Sequence, residues 1–415
     1  MADRSFSPGT GDHPSDKVAR PMELLAEKTL TMVLCGGKGE RLYPLTRDRA
    51  KPSVPFLGSY RIIDFSLSNA LNSGLRRIAL LTQYKSLSLE RHIFDGWNIF
   101  HAESGDYIIS LPAQGRVGDH WYEGTADAVF QNIYSIQQEN PEMVLVLSGD
   151  HIYSADYRRL QLFAGQAGAD AVIMTRTIPI EEASRFGVIG VDADRRIVEF
   201  MEKPKKPFPT PWDPGRSLIS MGVYLFRTPV LIKALLKDAR QPRSSHDFGR
   251  DIIPALIGSG RVFAYTFEDY WEDIGTIDAY WQANMAFLSP DAPALLRDPA
   301  WPIRSYRRQR PPTFISGAEI SASIVGDGAS LEDCRIVRSV ISPGVRVGPG
   351  AEVEDSILLA DVEVRSGARL RKVIMDKRTA IPEGFAAGFD AGQDERYFKI
   401  SRGGVRVAPK GWSCE

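Results

Sequence analysis

Aliphatic residues recur every six positions through the last third of the chain, and nothing else in the sequence restricts the fold as tightly. Ile341, Val347 and Val353 form one series; Leu358, Val364 and Leu370 form a second, after a single five-residue step. Val325 and Leu331 are an earlier pair. Glycine and small residues fill the intervals, as in ISPGVR and VGPGAE. A six-residue repeat of this kind marks a parallel β-helix, in which each unit is one short side of a coil and turns its aliphatic residue inward. A run of short antiparallel strands and turns is the plainer alternative, but it would not hold one register across two triplets. A β-helix alone says nothing about function.

Upstream the period is different. Between residues 29 and 281, apolar runs of strand length alternate with helix-length amphipathic stretches. TLTMVLC (29–35) leads into a glycine-rich loop, and RIALLT (77–82) and MVLVLSGD (143–150) are further strands. IDFSLSNALNSG (63–74), SLSLERHIF and GTADAVFQNIYSIQQ (124–138) read as helices, the last as one long one. This order predicts an α/β domain with a parallel sheet covered on both faces and functional residues at the strands' carboxyl ends. DAVIMTRTI, FGVIGVD, RIVEFMEKP and SLISMGVYLF follow more closely and predict a mixed region of sheet.

Residues 1–27 are polar, rich in Pro, Gly, Ser and Asp, and are expected to form a disordered tail. The expected catalytic domain is 28–287. A Pro- and Arg-rich connector follows at 288–312, then the β-helix at 313–408 and a short tail at 409–415. Lys plus Arg total 51 against 52 for Asp plus Glu, which argues against non-specific binding to nucleic acid or a membrane surface. Only three cysteines occur, widely spaced, so a reducing, cytoplasmic setting fits. No apolar run approaches the ~20 residues that span a bilayer.

The loop LCGGKGERLYPLTRDRAKP (34–52) is neither a P-loop nor a dinucleotide fingerprint. No Lys-Ser/Thr pair follows its glycines, and Leu42 stands where a third glycine would be. It carries Gly36, Gly37 and Gly39, with Arg41 inside it and Lys51 just beyond. Two cations beside a nest of N–H groups suit a triphosphate. A tight strand–helix turn with solvated charges remains the alternative for the glycines alone. Asp150 ends a hydrophobic strand, which aims it into the ligand crevice. Gly124 and Thr125 open a helix, where free N–H groups and the helix dipole are expected to be available, with Asp127 stabilising the same turn. His246 is expected to be structural, Asp247 a helix cap and Cys35 a packed hydrophobe.

GGKGERL, PLT, RAKP, YRIIDFSLSNALNSG, TQY, WYEGTADAV, GDHIY, FGVI, EFMEKP, SMGVYLF, SSHDFGRDIIP and YWEDIGTIDAYW occur in the order seen in the sugar-nucleotide pyrophosphorylases. From residue 29 to 406 the chain resembles the bacterial, ADP-glucose-forming branch of that family. The resemblance implies a Rossmann-like nucleotidyltransferase domain with a mixed, mostly parallel sheet, followed by a left-handed β-helix. It implies that ATP and α-D-glucose 1-phosphate give ADP-glucose and pyrophosphate for glycogen synthesis. Such chemistry needs alignment and charge neutralisation rather than covalent help.

By resemblance, Asp150 and Asp273 bind Mg²⁺, and Asp150, Arg41 and Lys51 are the catalytic set. Glu272, next to Asp273, is expected to face the other way. Tyr122, Gly187, Glu202, Lys203 and Ser220 match positions for glucose 1-phosphate. Gly36, Gly37, Gly39, Arg41, Gln83, Gly124 and Thr125 match positions for ATP. The resemblance also implies a homotetramer and a small-molecule allosteric effector bound between the two domains, with Arg49, Arg61, Arg396 and Lys399 as its basic contacts. Asp48 departs from the lysine of the fructose-bisphosphate-activated enteric type, and an acid there would repel a bisphosphate. Two other readings stand beside this one: a non-catalytic regulatory subunit, and a pyrophosphorylase for another nucleotide sugar. A bifunctional acetyltransferase is disfavoured, because no histidine lies beyond residue 246.

Overall fold

The computed structural model describes residues 25–37, 39–113 and 121–414. The expected tail at residues 1–24 lies outside the described residues. Residues 25–27, assigned to that tail, instead form a helical turn with Ala26 buried in the core.

The first domain is built on one nine-stranded sheet. Its strands are β1 (Thr29–Leu34), β2 (Arg77–Thr82), β3 (Tyr107–Pro112) and β4 (Met143–Ser148). A separate short strand, β5 (His151–Tyr153), follows β4 directly. The sheet continues with β6 (Ala171–Pro179), β7 (Gly187–Val191), β8 (Ile197–Glu202), β9 (Arg216–Arg227) and β10 (Val262–Thr266). β11 (Trp271–Asp273) pairs only with β5. The spatial order is β8-β7-β9-β4-β1-β2-β3, with β6 on β9 and β10 on β6. β4, β1, β2 and β3 run parallel, whereas β9 runs antiparallel to β4, β6 and β7. The parallel half carries the apolar runs, because it is covered by helices on both faces.

The stretch expected as one helix over 124–138 is two, Thr125–Phe130 and Ile133–Glu139. Side chains compete with the backbone at the break. The Asn132 amide donates to the Ala128 carbonyl and to the Tyr122 hydroxyl, and the Gln131 amide donates to Asp127.

The second domain is a left-handed parallel β-helix of three sheets. Ile315, Leu331, Val347, Val364 and Ile381 stack on one side. Ile320, Ile336, Val353, Leu370 and Ala387 stack on the second. Val325, Ile341, Leu358, Met375 and Ala408 stack on the third. Each six-residue step in the sequence therefore moves the chain to the next side of the coil.

The connector is anchored on the first domain. Ser305 donates to Asp64, Trp301 donates to Asn69, and Arg304 is held through Ser68 and the Gly96 carbonyl. The expected terminal tail is also packed: Trp412 lies against Phe385, Tyr397 and Phe398. The two domains share one apolar core, in which Phe56, Phe65 and Tyr280 meet Val340, Ile357 and Ile374. Across it, the Trp281 indole donates to the Asp355 carbonyl at 2.7 Å. Among the described residues, no helix is long and apolar enough to cross a membrane.

Candidate active site

Beyond β1 the chain turns through Gly36, Gly37 and Gly39. Gly37 and Gly39 have φ of +102° and +61°, conformations that side chains disfavour. The Thr46 hydroxyl donates to the Gly39 carbonyl at 2.9 Å and fixes the far side of the loop.

Asp150 comes from the turn between β4 and β5, and Asp273 closes β11. β5 and β11 pair antiparallel with Asp273 opposite His151. This two-stranded ribbon brings together carboxylates that are far apart in sequence. The Lys51 ammonium lies between them, 2.7 Å from Asp150 Oδ2 and 3.1 Å from Asp273 Oδ1. Ser148 donates a further hydrogen bond to Asp150. Burial works to raise the Asp150 pKa, but the Lys51 and His151 charges together with the hydrogen bonds from Lys51 and Ser148 outweigh it and hold the carboxyl well below its usual range. Burial likewise works to lower the Lys51 pKa, and the two carboxylates override it and raise it.

His151, which the sequence reading left unassigned, completes the cluster. Its Nε2 is 3.4 Å from Asp150 and 3.8 Å from Asp273. Its ring meets Trp271 edge-on, and its Nδ1 is buried without a partner. Asp150, His151 and Asp273 each offer a ligand atom within 4.8 Å of the others. Two carboxylate oxygens on a fixed ribbon suit a hard divalent cation, so these residues fit Mg²⁺. Glu272 is not part of the cluster; it lies among the charges of Asp273, Arg185 and Arg176, and burial raises its pKa. Arg41 is exposed and close by: a side chain added at Gly275 would come 3.1 Å from its guanidinium and 3.2 Å from Asp273.

Gly187, Glu202, Lys203 and Ser220 lie around the mixed half of the sheet. A Cβ at Gly187 would meet Phe200 at 2.5 Å and Glu202 at 2.9 Å, so glycine there lets the Glu202 side chain lie flat. Glu202 pairs with the Lys203 ammonium at 3.0 Å, and the Lys203 side chain is half-exposed. Ser220 opens a bulge in β9 and accepts from the Gly222 amide at 3.2 Å. A Cβ at Gly222, within that bulge, would come 3.4 Å from both Ser148 and His151, so the bulge lies beside the carboxylate cluster.

The entrance of the helix at Thr125 differs from expectation. Two of its N–H groups are taken: those of Ala126 and Asp127 both donate to the His246 carbonyl. The Thr125 hydroxyl donates to Asp247 and accepts from the Phe248 amide. A Cβ at Gly124 would come 2.2 Å from the His246 oxygen, so glycine is required for this close approach. His246 itself is bound to Asp238 at 2.8 Å. Tyr122 is buried, with its hydroxyl donating to the Leu111 carbonyl and accepting from Asn132. The Gln83 amide donates to the Tyr122 carbonyl beside Gly36.

Of the four basic residues expected at an effector site, Arg49 and Arg61 lie near each other, beside Lys377. Arg49 is buried and donates to both oxygens of Asp376, each at 2.9 Å. Lys399 lies over the Tyr43 ring, and Arg396 is exposed beyond a short helix. Arg61 does line a cavity of about 440 Å³ between the domains, with Arg91, Arg307, Arg308, Lys377, Arg378 and Lys410. Burial and the neighbouring cations lower Lys377 to about 7. Sequence reading missed this set, although the basic run RSYRRQR supplies part of it.

Fold and site together define a nucleotidyltransferase carrying a hexapeptide β-helix. Residues 30–289 match the nucleotidyl transferase family, and residues 313–408 match a GlmU-like, C-terminal hexapeptide family. The chain is 47 % identical over 405 residues to a glucose-1-phosphate adenylyltransferase of Rhodopirellula baltica, covering 93 % of this chain and 91 % of the relative. It is 45 % identical over 401 residues to that of Koribacter versatilis, covering 93 % and 96 %. It is 46 % identical over 402 residues to glucose-1-phosphate adenylyltransferase 2 of Vibrio cholerae, covering 93 % and 98 %. The chain belongs to the nucleotidyl transferase family, within its glucose-1-phosphate adenylyltransferases.

Proposed function

We propose that the chain transfers the adenylyl group of ATP to α-D-glucose 1-phosphate, giving ADP-glucose and pyrophosphate. The observation that carries this is the Asp150–Lys51–Asp273 cluster beside the glycine loop, in a chain so similar to named adenylyltransferases. A phosphate oxygen of the sugar attacks the α-phosphorus, a new P–O bond forms, and the bond to the β-phosphate oxygen breaks. The attacking oxygen is already ionised, so no base is needed, which agrees with His246 being tied to Asp238. Asp150 and Asp273 would hold Mg²⁺, which when bound neutralises phosphate charge. Lys51 and Arg41 supply positive charge beside the loop. Gly36, Gly37 and Gly39 let the backbone approach the triphosphate, with Gln83 beside them for the base. Lys203 is proposed for the sugar phosphate, Glu202 and Ser220 for its hydroxyls.

The inter-domain cavity is proposed as the site of a small anionic effector, because its lining is strongly cationic. Arg61 keeps that role, and Arg49, paired with Asp376, adds its charge beside Lys377. We further propose a cytoplasmic homotetramer whose catalytic unit is residues 28–287 and whose product feeds glycogen. A non-catalytic regulatory role is disfavoured by the intact carboxylate pair.

The test is pyrophosphate release with Mg²⁺ and glucose 1-phosphate, comparing ATP, UTP, dTTP and GTP on wild type and Asp150→Ala. ATP-selective release that disappears in the variant is expected. Release that favours UTP or dTTP would overturn the product, and no release with any nucleotide would favour the regulatory reading.

A further inference from the structure

The position of the Lys51 ammonium has a consequence for how the site is loaded. It takes up one oxygen from each of Asp150 and Asp273, the two groups proposed to bind the divalent ion. The ammonium leaves a second oxygen on each carboxylate, but a divalent cation taken up by the same two groups would sit beside it, and at such separations the two cations repel strongly. Each therefore weakens the other's hold on the pair. We infer that Lys51 and the divalent ion compete for the Asp150–Asp273 pair, so that the ion enters only as Lys51 withdraws toward the glycine loop.

The surroundings give the displaced ammonium one clear direction. The root of the Lys51 side chain leans on the loop, with its Cβ 3.5 Å from where a Cβ on Gly39 would be. Its backbone is fixed in a short turn, Lys51–Ser53, closed by the Ser53 hydroxyl on the Ala50 carbonyl. Arg49, two residues earlier, is pinned to Asp376. Movement is therefore left to the flexible four-carbon stem. On the carboxylate side, His151 and Ser148 already occupy the approaches to Asp150. The loop side is where the proposed nucleotide brings its negative phosphates. An ammonium leaving the carboxylates thus gains a new partner only when the triphosphate is present. Ion and nucleotide then favour each other's binding, since each removes the cost of moving Lys51 for the other. The inference rests on the proposed metal and nucleotide sites.

The experiment is Mn²⁺ binding to the full chain without nucleotide, read by the electron paramagnetic resonance of free Mn²⁺. Wild type, Lys51→Met, Lys51→Gln and Lys51→Arg are compared, with Asp150→Asn added to Lys51→Met as the site control. Competition predicts that Lys51→Met and Lys51→Gln bind Mn²⁺ at least about tenfold more tightly than wild type, the ratio that 1.4 kcal/mol produces. Lys51→Arg stays near wild type, and the added Asp150→Asn abolishes the gain. Thermal melts give a second readout. Without its ammonium the carboxylate pair is self-repelling, so Mn²⁺ should raise the melting midpoint of Lys51→Met more than that of wild type. Equal or weaker Mn²⁺ binding by both neutral variants overturns the inference, as does a gain that survives Asp150→Asn. Its failure is separable from failure of the functional reading. ADP-glucose synthesis with equal Mn²⁺ affinities would sink only the competition, and tighter Mn²⁺ binding without any synthesis would sink only the reaction.

Discussion

Replacing Asp376 by alanine should be among the most destabilising single changes at the domain interface. Arg49 donates to both carboxylate oxygens at 2.9 Å, and the side chains are 5 % and 1 % exposed. Removing one partner of such a pair leaves a buried charge and costs about 3–5 kcal/mol. The surroundings point to the upper end of that range. Arg49 Nη1 has no partner, and Arg49 and Arg61 already work to lower the Lys377 pKa. Asp376 is the acid that offsets these cations, and its Oδ1 also accepts from the Lys377 amide at 2.7 Å. The expected loss is about 4 kcal/mol in a urea melt followed by tryptophan fluorescence. Arg49→Met with Asp376→Ala should recover at least about 2 kcal/mol of it, because the stranded charge is then gone. A loss below about 1 kcal/mol in the single variant, or strict additivity in the double, would refute the claim that the charge is buried and dependent on its partner.

Gly124→Ala should push the His246 carbonyl out of place and break its bonds to the Ala126 and Asp127 amides. A fall of about 3 kcal/mol in unfolding free energy is expected, and an unchanged melt would contradict the close packing. Lys377 is lowered from 10.5 to about 7, so the unfolded chain binds more protons between those values and stability without ligand should rise as pH climbs through that window. Sulfate, whose own charge is constant across this range, should accordingly bind the cavity more tightly below pH 7 than above it, a trend that Lys377→Met should flatten in calorimetric titrations. Trp412→Ala removes ring contacts with Phe385, Tyr397 and Phe398, and should lower stability by about 2 kcal/mol. No change on melting would restore residues 409–414 to the status of a loose tail.

What the sequence disclosed was what depends on local pattern. RIALLT reads as a strand and is one, because its continuous apolar run needs cover on both faces. The aliphatic hexads fall on the three inward stacks of the β-helix, because the coil repeats its own geometry. The misreadings lie where distant parts meet. The split at Gln131–Asn132 depends on Tyr122 offering its hydroxyl to Asn132. The capped helix entrance at Gly124 depends on a carbonyl from residue 246. His151 joins the carboxylates only because β11 pairs with β5, and neither strand is long enough to announce itself. The cationic cavity draws on residues 61, 91, 307, 308, 310, 377, 378 and 410, so no single window of sequence displays it.

The segment 47–51 explains why the two domains pack as one body around this site. Arg47 donates to the Lys410 carbonyl at 2.8 Å, Arg49 binds Asp376, and Lys51 binds Asp150 and Asp273. Asp48, between the first two, lines the cationic cavity. Four of these five residues thus touch the β-helix, the cavity and the carboxylate cluster in turn. The apolar core beneath them is shared as well, so separating the domains would expose Phe56 and Tyr280 on one side and Ile357 and Ile374 on the other. The β-helix is therefore part of what positions Lys51. Arg49 keeps its bidentate partner only while the coil bearing Asp376 is docked, and with Arg49 released the turn that presents Lys51 to the carboxylates loses its nearest inter-domain anchor.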